Sequence, residues 1–517
     1  MPIDLRSDVL DAHPAGRPRT LALLGPAAVA PFTQGGGSAH VVPDHFLGPV
    51  EAVAGALPTD IRLEVAAGAR SRANPPQLDV AALCTDPVTG EPGVRLELLD
   101  AAGAVVASCT TTEWSGWLYP QDLASVADPT VVTLRLIADV HFDETGRHEI
   151  GIGTIGRHVI RIDEAMVSTS EGVVGAEVIL ASQHNNPVAE LADVVVDHPR
   201  VVRVDAELQV VHPVGYDSFV RGSLVHRLPG PTAEEELAHA VDLAAAADLV
   251  VVAVGTTEEV ESEGYDRRSL ALPGNQDELV RRVLAANPRT IVIINAGAPV
   301  VLPWYDSAGT VLWAWLGGQE CGGGMADVLT GVTEPAGRLP WTLPAAERDV
   351  PVPSAIPRDG VITYDEGVHV GYRSWDRLGR TPAACFGHGL GWTTWTYESV
   401  TAAPAGSDPS GAIEIAVTVR NEGSRAGREV VQAYLEPPSG GGEERPVRWL
   451  VGFAGVTAEP GETVTAKLSV PGRAFQTWDV DTHSWATPPG TYRLRIGRSA
   501  RDLRLDATIL RCTQPAG

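Results

Sequence analysis

Asp248-Leu-Val-Val-Val-Ala-Val254 is an apolar run that reads as a buried parallel strand, and it leads directly into Gly255-Thr-Thr-Glu-Glu-Val-Glu-Ser-Glu-Gly-Tyr-Asp-Arg267. Parallel strands are covered on both faces, so they read as continuous rather than alternating hydrophobicity. In open α/β sheets the loops leaving the carboxyl ends of the strands carry the ligand-binding and catalytic groups. Glu259, Glu261 and Glu263 alternate on this loop. Carboxylates crowded together repel one another, which predicts a raised pKa for at least one of them. A carboxyl that keeps its proton near neutral pH is suited to general-acid work. The competing reading is a solvated acidic loop.

Outward from this stretch the α/β rhythm continues. Thr232–Ala247 reads as an amphipathic helix, preceded by Pro231 and acidic in its first turn. Asn275–Ala286 reads as another helix, and Thr290–Asn295 and Thr310–Trp315 as strands. Near the N-terminus, Arg19-Thr-Leu-Ala-Leu-Leu-Gly25 predicts a buried strand, Gly48–Leu57 a helix and Ile61–Val65 a second strand. The glycines of Phe32-Thr-Gln-Gly-Gly-Gly-Ser-Ala39 lack the Lys-Ser/Thr and the GxGxxG spacing of a phosphate cradle, so nucleotide binding is rejected.

Two stretches alternate instead with period two. Between about 77 and 226, Val94–Leu99, Thr133–Ala138 and His158–Ile162 are separated by turn residues, with hairpin turns expected at Ala102-Gly103 and Glu144-Thr-Gly146. From 395 onward, Ile413–Val419, Glu429–Leu435, Thr463–Val470 and Gly490–Ile496 predict a β-sandwich of the immunoglobulin or fibronectin type. A β-module interrupting an α/β domain is the simplest arrangement, because insertions enter at loops.

The chain's 517 residues predict roughly three domains. A formal net charge of −26 argues against nucleic acid and anionic membrane as partners and fits a neutral substrate. Five scattered cysteines without a CxxC pair disfavour a disulfide framework and a zinc site. His369 and His388 have no neighbour at metal-ligand spacing and read as structural, and no metal or cofactor is expected. The opening Met-Pro-Ile-Asp-Leu-Arg lacks an apolar h-region and no apolar run is long enough to span a bilayer, which sets a cytoplasmic expectation.

An ordered series of motifs resembles the C-terminal part of glycoside hydrolase family 3, the β-glucosidase and β-xylosidase family. It comprises Glu261-Ser-Glu-Gly-Tyr-Asp-Arg267, Leu272-Pro-Gly-Asn-Gln276, Asn295-Ala-Gly-Ala-Pro299, Trp315-Leu-Gly-Gly-Gln-Glu320, Ala326-Asp-Val-Leu329, Gly337-Arg-Leu-Pro340, Val370-Gly-Tyr-Arg373 and Phe386-Gly-His-Gly-Leu-Gly-Trp-Thr393. The resemblance implies an (α/β)6 sandwich over 1–76 and 230–375, interrupted by a PA14-like β insert at 77–229. A linker at 376–394 and a fibronectin-III-like domain at 395–517 follow. Phe32–Ala39 is similar to the glycine loop of PA14-containing members, whose insert shapes the sugar pocket. By that analogy Trp114, Trp117 and Tyr119 are candidates for stacking on sugar rings, against ordinary aromatic packing.

Family members begin with a TIM-like barrel that carries the aspartate nucleophile. This chain shows neither an eightfold βα pattern nor a Ser-Asp-Trp motif, so it looks like the rear portion of such an enzyme. A retaining glycosidase needs two carboxyl groups about 5–5.5 Å apart. The resemblance places the acid/base here, with Glu261 first, Glu263 second and Glu259 third. Asp266 and Arg267 are expected to form a structural ion pair, and Gln319 and Glu320 to cap a helix. The implied partners are a β-linked glycoside, a separately encoded barrel chain and, since dimers are common in the family, a second copy. The alternative is a non-catalytic carbohydrate-binding scaffold of PA14-like and fibronectin-like modules.

Overall fold

The computed structural model describes residues 19–36, 39–114, 116–123, 130–175, 178, 186–215, 217–263, 267–352, 356–405, 411–439 and 444–512. Its first sheet is parallel throughout, in the spatial order Thr310–Trp313, Thr290–Asn295, Leu249–Gly255, Arg19–Leu24 and Ile61–Ala66. Alternate residues of these strands feed two cores. Ala22, Val250, Val252 and Val292 pack with Leu237, Ala240, Leu279 and Val283 of the helices Ala233–Ala246 and Gln276–Ala286. On the opposite face Leu21, Val251, Ala253 and Ile293 pack with Val53, Ala326 and Leu329 of the helices Pro49–Ala56 and Cys321–Thr330. Burial on both faces is what the unbroken apolar run at 249–254 required. The helix Ala233–Ala246 starts on a reciprocal capping box between Thr232 and Glu235.

An (α/β)6 sandwich implies six strands, and the sheet has five among the described residues. Backbone bonds of Leu339 and Leu343 go to residues 383–388 rather than to the edge strand Thr310–Trp313. A cleft of about 1140 Å³, lined by residues such as Trp313, Met325 and Leu339, separates the two.

The chain between Ile61–Ala66 and Ala233–Ala246 forms a two-sheet β-sandwich, with sheets of seven and four strands among the described residues, around a main core and a small second cluster of Ile155, Val178, Val211 and Phe219. Ala102-Gly103 is a hairpin turn between Val94–Asp100 and Val105–Thr111, as expected. Glu144–Gly146 is not. The strands it joins, Val131–Phe142 and Gly146–Thr154, belong to different sheets, so this turn carries the chain across the sandwich.

The last region is a second sandwich. Trp395–Pro404, Ile413–Asn421 and Thr463–Val470 form one sheet. Trp449–Ala458, Gly427–Glu436, Gly490–Gly497 and Leu503–Arg511 form the other. Residues 376–394 are not a free tether. Ala384 pairs with Leu343, the Trp392 N–H donates to Glu334 at 2.8 Å, and the Thr393 hydroxyl donates to Asn421. The two domains are also joined through buried charge, because Glu429 of the sandwich accepts from Arg338 at 2.6 Å and pairs with Arg498 at 2.9 Å.

Candidate active site

The strand Leu249–Gly255 ends where the Gln276 side chain brackets Gly255, accepting its N–H and donating to its carbonyl, both at 2.9 Å. A turn then folds the loop back, with the N–H groups of Val260 and Glu261 both donating to the Thr257 carbonyl. That turn brings the Glu261 carboxylate onto the sheet edge. Its Oε2 accepts from the Thr256 hydroxyl at 2.5 Å and from the Gly297 N–H at 3.2 Å. Gly297 leaves room for this contact, because a Cβ at this position would lie 2.5 Å from Glu261 Oε1 and push the carboxylate aside.

Glu259 turns the other way. Its Oε2 accepts from the Ala73 N–H at 2.8 Å, beside a two-pronged ion pair between Arg72 and Glu258. Burial raises the Glu259 pKa; the like charge of Glu258 adds to this, and the Ala73 hydrogen bond and Arg72 oppose it. The raised carboxyl expected from crowding is therefore present, but burial is its leading cause. Glu263 is the most exposed of the three, at the far end of the loop. The three candidates thus have separate environments, one anchored to the sheet, one half-buried against the segment entering the insert and one exposed.

Asp266 lies outside the described residues, and with it the expected ion pair. Arg267 itself donates to the carbonyls of Pro299 and Ala271, both at 3.1 Å. Burial depresses its pKa, with Glu261 and Glu347 opposing.

Neighbouring loops converge on the same edge. Asn295, the last residue of its strand, accepts from the Phe32 N–H at 2.9 Å and donates to the carbonyls of Phe32 at 2.8 Å and Trp315 at 2.6 Å. Trp315 has a φ of 57°, in the left-handed region that disfavours a bulky residue. Its ring packs against Trp341 with centroids 4.7 Å apart. Backbone strain of this kind persists where surroundings over-determine it, and it concentrates at functional edges. The motifs containing Asn295 and Trp315 were visible in the sequence, but nothing in their spacing announced this clamp.

Gln319 and Glu320 do not cap the helix Cys321–Thr330, whose N-cap has no side-chain hydrogen bond. Glu320 instead pairs with His45, and Gln319 reaches the same ring at 3.3 Å, tying the 40–47 loop to this edge. The His369 ring Nε2 bonds the Glu444 carboxylate at 3.0 Å, and burial lowers the pKa of His388, with Arg338 and Arg498 reinforcing it.

Trp114 is only 9% exposed, packed in the core of the inserted sandwich, so its ring presents no face to a sugar. Trp117 and Tyr119 are 37% and 42% exposed. Trp117 already has Phe219 at 5.4 Å and the Arg221 guanidinium at 4.9 Å from its ring.

A family model described as the glycosyl hydrolase family 3 C-terminal domain matches residues 14–372, and one described as a fibronectin type III-like domain matches residues 429–500. Probable beta-glucosidase K of Emericella nidulans is 31% identical over 509 residues, covering 95% of this chain and 59% of that protein. A beta-glucosidase of Rhizobium radiobacter is 31% identical over 502 residues, with the same two shares. Among solved structures, beta-glucosidase from Kluyveromyces marxianus in complex with glucose aligns with a TM-score of 0.71 at 25% identity, over 95% of this chain and 59% of that one. DesR, a beta-glucosidase from Streptomyces venezuelae in complex with D-glucose, aligns at 0.65 and 27%, over 95% and 56%. The chain therefore spans less than two thirds of the length of the relatives it matches.

Proposed function

The chain belongs to glycoside hydrolase family 3, and on that premise we propose that it supplies the proton-donor side of a retaining β-glucoside hydrolase. The nucleophile comes from polypeptide that its relatives have in addition. The observation that carries this reading is the acidic loop at the carboxyl end of Leu249–Gly255, with Glu261 tied to Thr256 and Gly297 and Glu263 exposed beyond it. A general acid must reach the leaving oxygen of a substrate held by another surface. Our reading gives that role to Glu263, which is exposed, and gives Glu261, whose Oε2 accepts from two donors of its own sheet edge, the role of holding the loop. This geometry favours Glu263 over Glu261 as acid/base and leaves Glu259 as a structural anchor.

The substrate class is a β-linked glucoside, in line with the names of the relatives. The segment entering the inserted sandwich, itself read as PA14-like, meets the acidic loop at Arg72 and Ala73, and Trp117 and Tyr119 of the insert are the candidates for sugar stacking. The test is turnover of aryl β-glucosides by the chain alone and after adding a family 3 barrel polypeptide. Turnover only in the mixture supports the reading, and no turnover with a bound barrel sinks it.

A second reading, a non-catalytic carbohydrate-binding scaffold, rests on the exposure of Trp117 and Tyr119. It predicts glucan binding that survives Glu263→Gln and is lost in Trp117→Ala.

A further inference from the structure

Between Arg70 and Asn74 the segment entering the inserted sandwich bonds the α/β domain, the acidic loop and the sandwich in turn. We propose that Asn74 and Glu259 are positioning residues, through which the seating of the inserted sandwich sets where the acidic loop presents Glu263. The acid role of Glu263 rests on the proposed function; the coupling between insert and loop does not.

Arg70 fixes the near end of the segment to the α/β domain. Its N–H donates to the Asn275 side chain at 2.8 Å, and its guanidinium reaches Glu236 at 3.1 and 3.3 Å and the Pro231 carbonyl at 3.0 Å. Asn74 fixes the far end to the sandwich. Its Nδ2 donates to the Pro187 carbonyl at 2.9 Å, and its Oδ1 accepts from the Ala189 N–H at 2.8 Å. Pro187 and Ala189 are buried and lead directly into the strand Glu190–Val196. Between these ends lie Arg72 and Ala73, and both hold the acidic loop. Arg72 forms its two-pronged pair with Glu258, and the Ala73 N–H donates to Glu259 at 2.8 Å. A continuous path therefore runs from the sandwich through Asn74, Ala73 and Glu259 into the loop.

The path matters because of where it ends. Glu259 sits inside the turn in which the Val260 and Glu261 N–H groups donate to the Thr257 carbonyl, at 3.0 and 2.9 Å. Directly after this turn, Glu261 is tied to the sheet edge by Thr256 and Gly297. A single tie would leave the loop free to pivot about it. Two ties that face different ways fix its orientation, and Glu263, just beyond the second, inherits it. Placement of this kind is costly to lose, since a displacement of about 1 Å at a reacting group can cost on the order of 100-fold in rate. An Asn74 that served only the base of the sandwich would leave the loop unchanged when removed.

Hydrogen exchange on the full chain tests the coupling without any partner. The Val260 and Glu261 amides report on the turn, and the amides of Leu249–Gly255 report on the fold beneath it. Asn74→Ala and Glu259→Ala are each expected to speed exchange of the two turn amides by at least about tenfold and to leave the strand unchanged. Glu259→Gln, which keeps an acceptor for the Ala73 N–H, is expected to stay within about threefold of wild type. Asn74→Ala/Glu259→Ala is expected to exchange no faster than Glu259→Ala, because both residues lie on one path. Glu259→Ala leaves the bonds of Asn74 to the sandwich in place, so it carries the test if Asn74→Ala does not fold. Turn exchange at the wild-type rate in a folded Asn74→Ala overturns the proposal. So does acceleration that spreads into the strand, or equal acceleration in Glu259→Gln and Glu259→Ala.

With a family 3 barrel polypeptide added, Asn74→Ala is expected to slow a glucoside with a poor leaving group about tenfold and a dinitrophenyl glucoside far less. Equal slowing of both overturns the link to Glu263. If no barrel restores turnover, the catalytic reading falls, and the exchange result still decides the coupling between insert and loop.

Discussion

The Thr256 hydroxyl donates to Glu261 Oε2 at 2.5 Å, so a loop carboxylate is tied to the strand exit five residues before it. The Gly297 N–H, from the exit of the adjacent strand, approaches the same oxygen. A carboxylate held from two sides is a fixed point, and the residues after it inherit its position. This gives Glu261 and Glu263 different expected behaviour.

In a chain complemented with a barrel, Glu263→Gln is expected to lower turnover of a glucoside with a poor leaving group by about 10²–10⁴-fold. A dinitrophenyl glucoside, which needs little protonation, is expected to lose far less in the glycosylation step. Thr256→Val is expected to cost both substrates alike, by about tenfold or less, through loss of one hydrogen bond. Steady-state and burst kinetics on the two substrates check this. If the leaving-group signature appears in Glu261→Gln instead, the acid role belongs to Glu261.

His148 and His226 lie in the inserted sandwich with parallel rings and a 2.9 Å contact between Nδ1 and Nε2. His148 also bonds the Glu144 carbonyl at 2.8 Å, and the Phe142 ring lies 5.0 Å from His226. Burial, with His148 adding to it, pushes the His226 pKa down from 6.5 to about 4. The unfolded chain then binds more protons than the folded one between these values. Stability is full above pH 6.5 and is lost as pH falls toward 4, by on the order of 3 kcal/mol. Melting temperature against pH is expected to slope down through this window in wild type and to flatten in His226→Phe.

Glu429 is fully buried and is shared by Arg338 and Arg498, one from each domain. Removing one member of a buried ion cluster leaves the others uncompensated and costs about 3–5 kcal/mol. Glu429→Ala is expected to show that loss in denaturant unfolding, with Glu429→Gln milder. An unchanged midpoint in Glu429→Ala would remove the cluster as a clasp between the domains.

Gly274 has a φ of 69°, and a Cβ there would sit 1.7 Å from the Arg70 carbonyl oxygen. Gly103 has a φ of 80° with open space around it. Gly103→Ala is expected to cost about 1–2 kcal/mol, the left-handed backbone penalty alone. Gly274→Ala adds a collision with main chain and is expected to cost clearly more, read as the difference between the two melting temperatures.

Much of the fold was legible because its signals are local. The unbroken apolar run at 249–254 identified a strand buried on both faces, and strict alternation at 413–419 and 463–470 identified half-buried antiparallel strands. Local signals fail where a partner lies far along the chain. Glu144–Gly146 carries hairpin chemistry but crosses between sheets, a difference set by which strands pair rather than by the turn. Gln319 and Glu320 precede a helix as caps do, but His45, from a loop 275 residues away from Glu320, takes the carboxylate instead. Trp114 sits only three residues from Trp117, and only sandwich packing separates a core ring from an exposed one.

By itself the sequence determined that a run of carboxylates leaves a parallel strand, that one family's motifs follow in order, and that one β-module interrupts the α/β segments and another follows them. Each of these depends on neighbours within a few residues, where periodicity and spacing carry the information. Only the tertiary structure decided that Glu261 is anchored to its sheet edge, Glu259 half-buried against Ala73 and Glu263 exposed. Burial and hydrogen bonding of a side chain are set by residues such as Gly297 and Ala73, which the fold brings near and no local pattern can name.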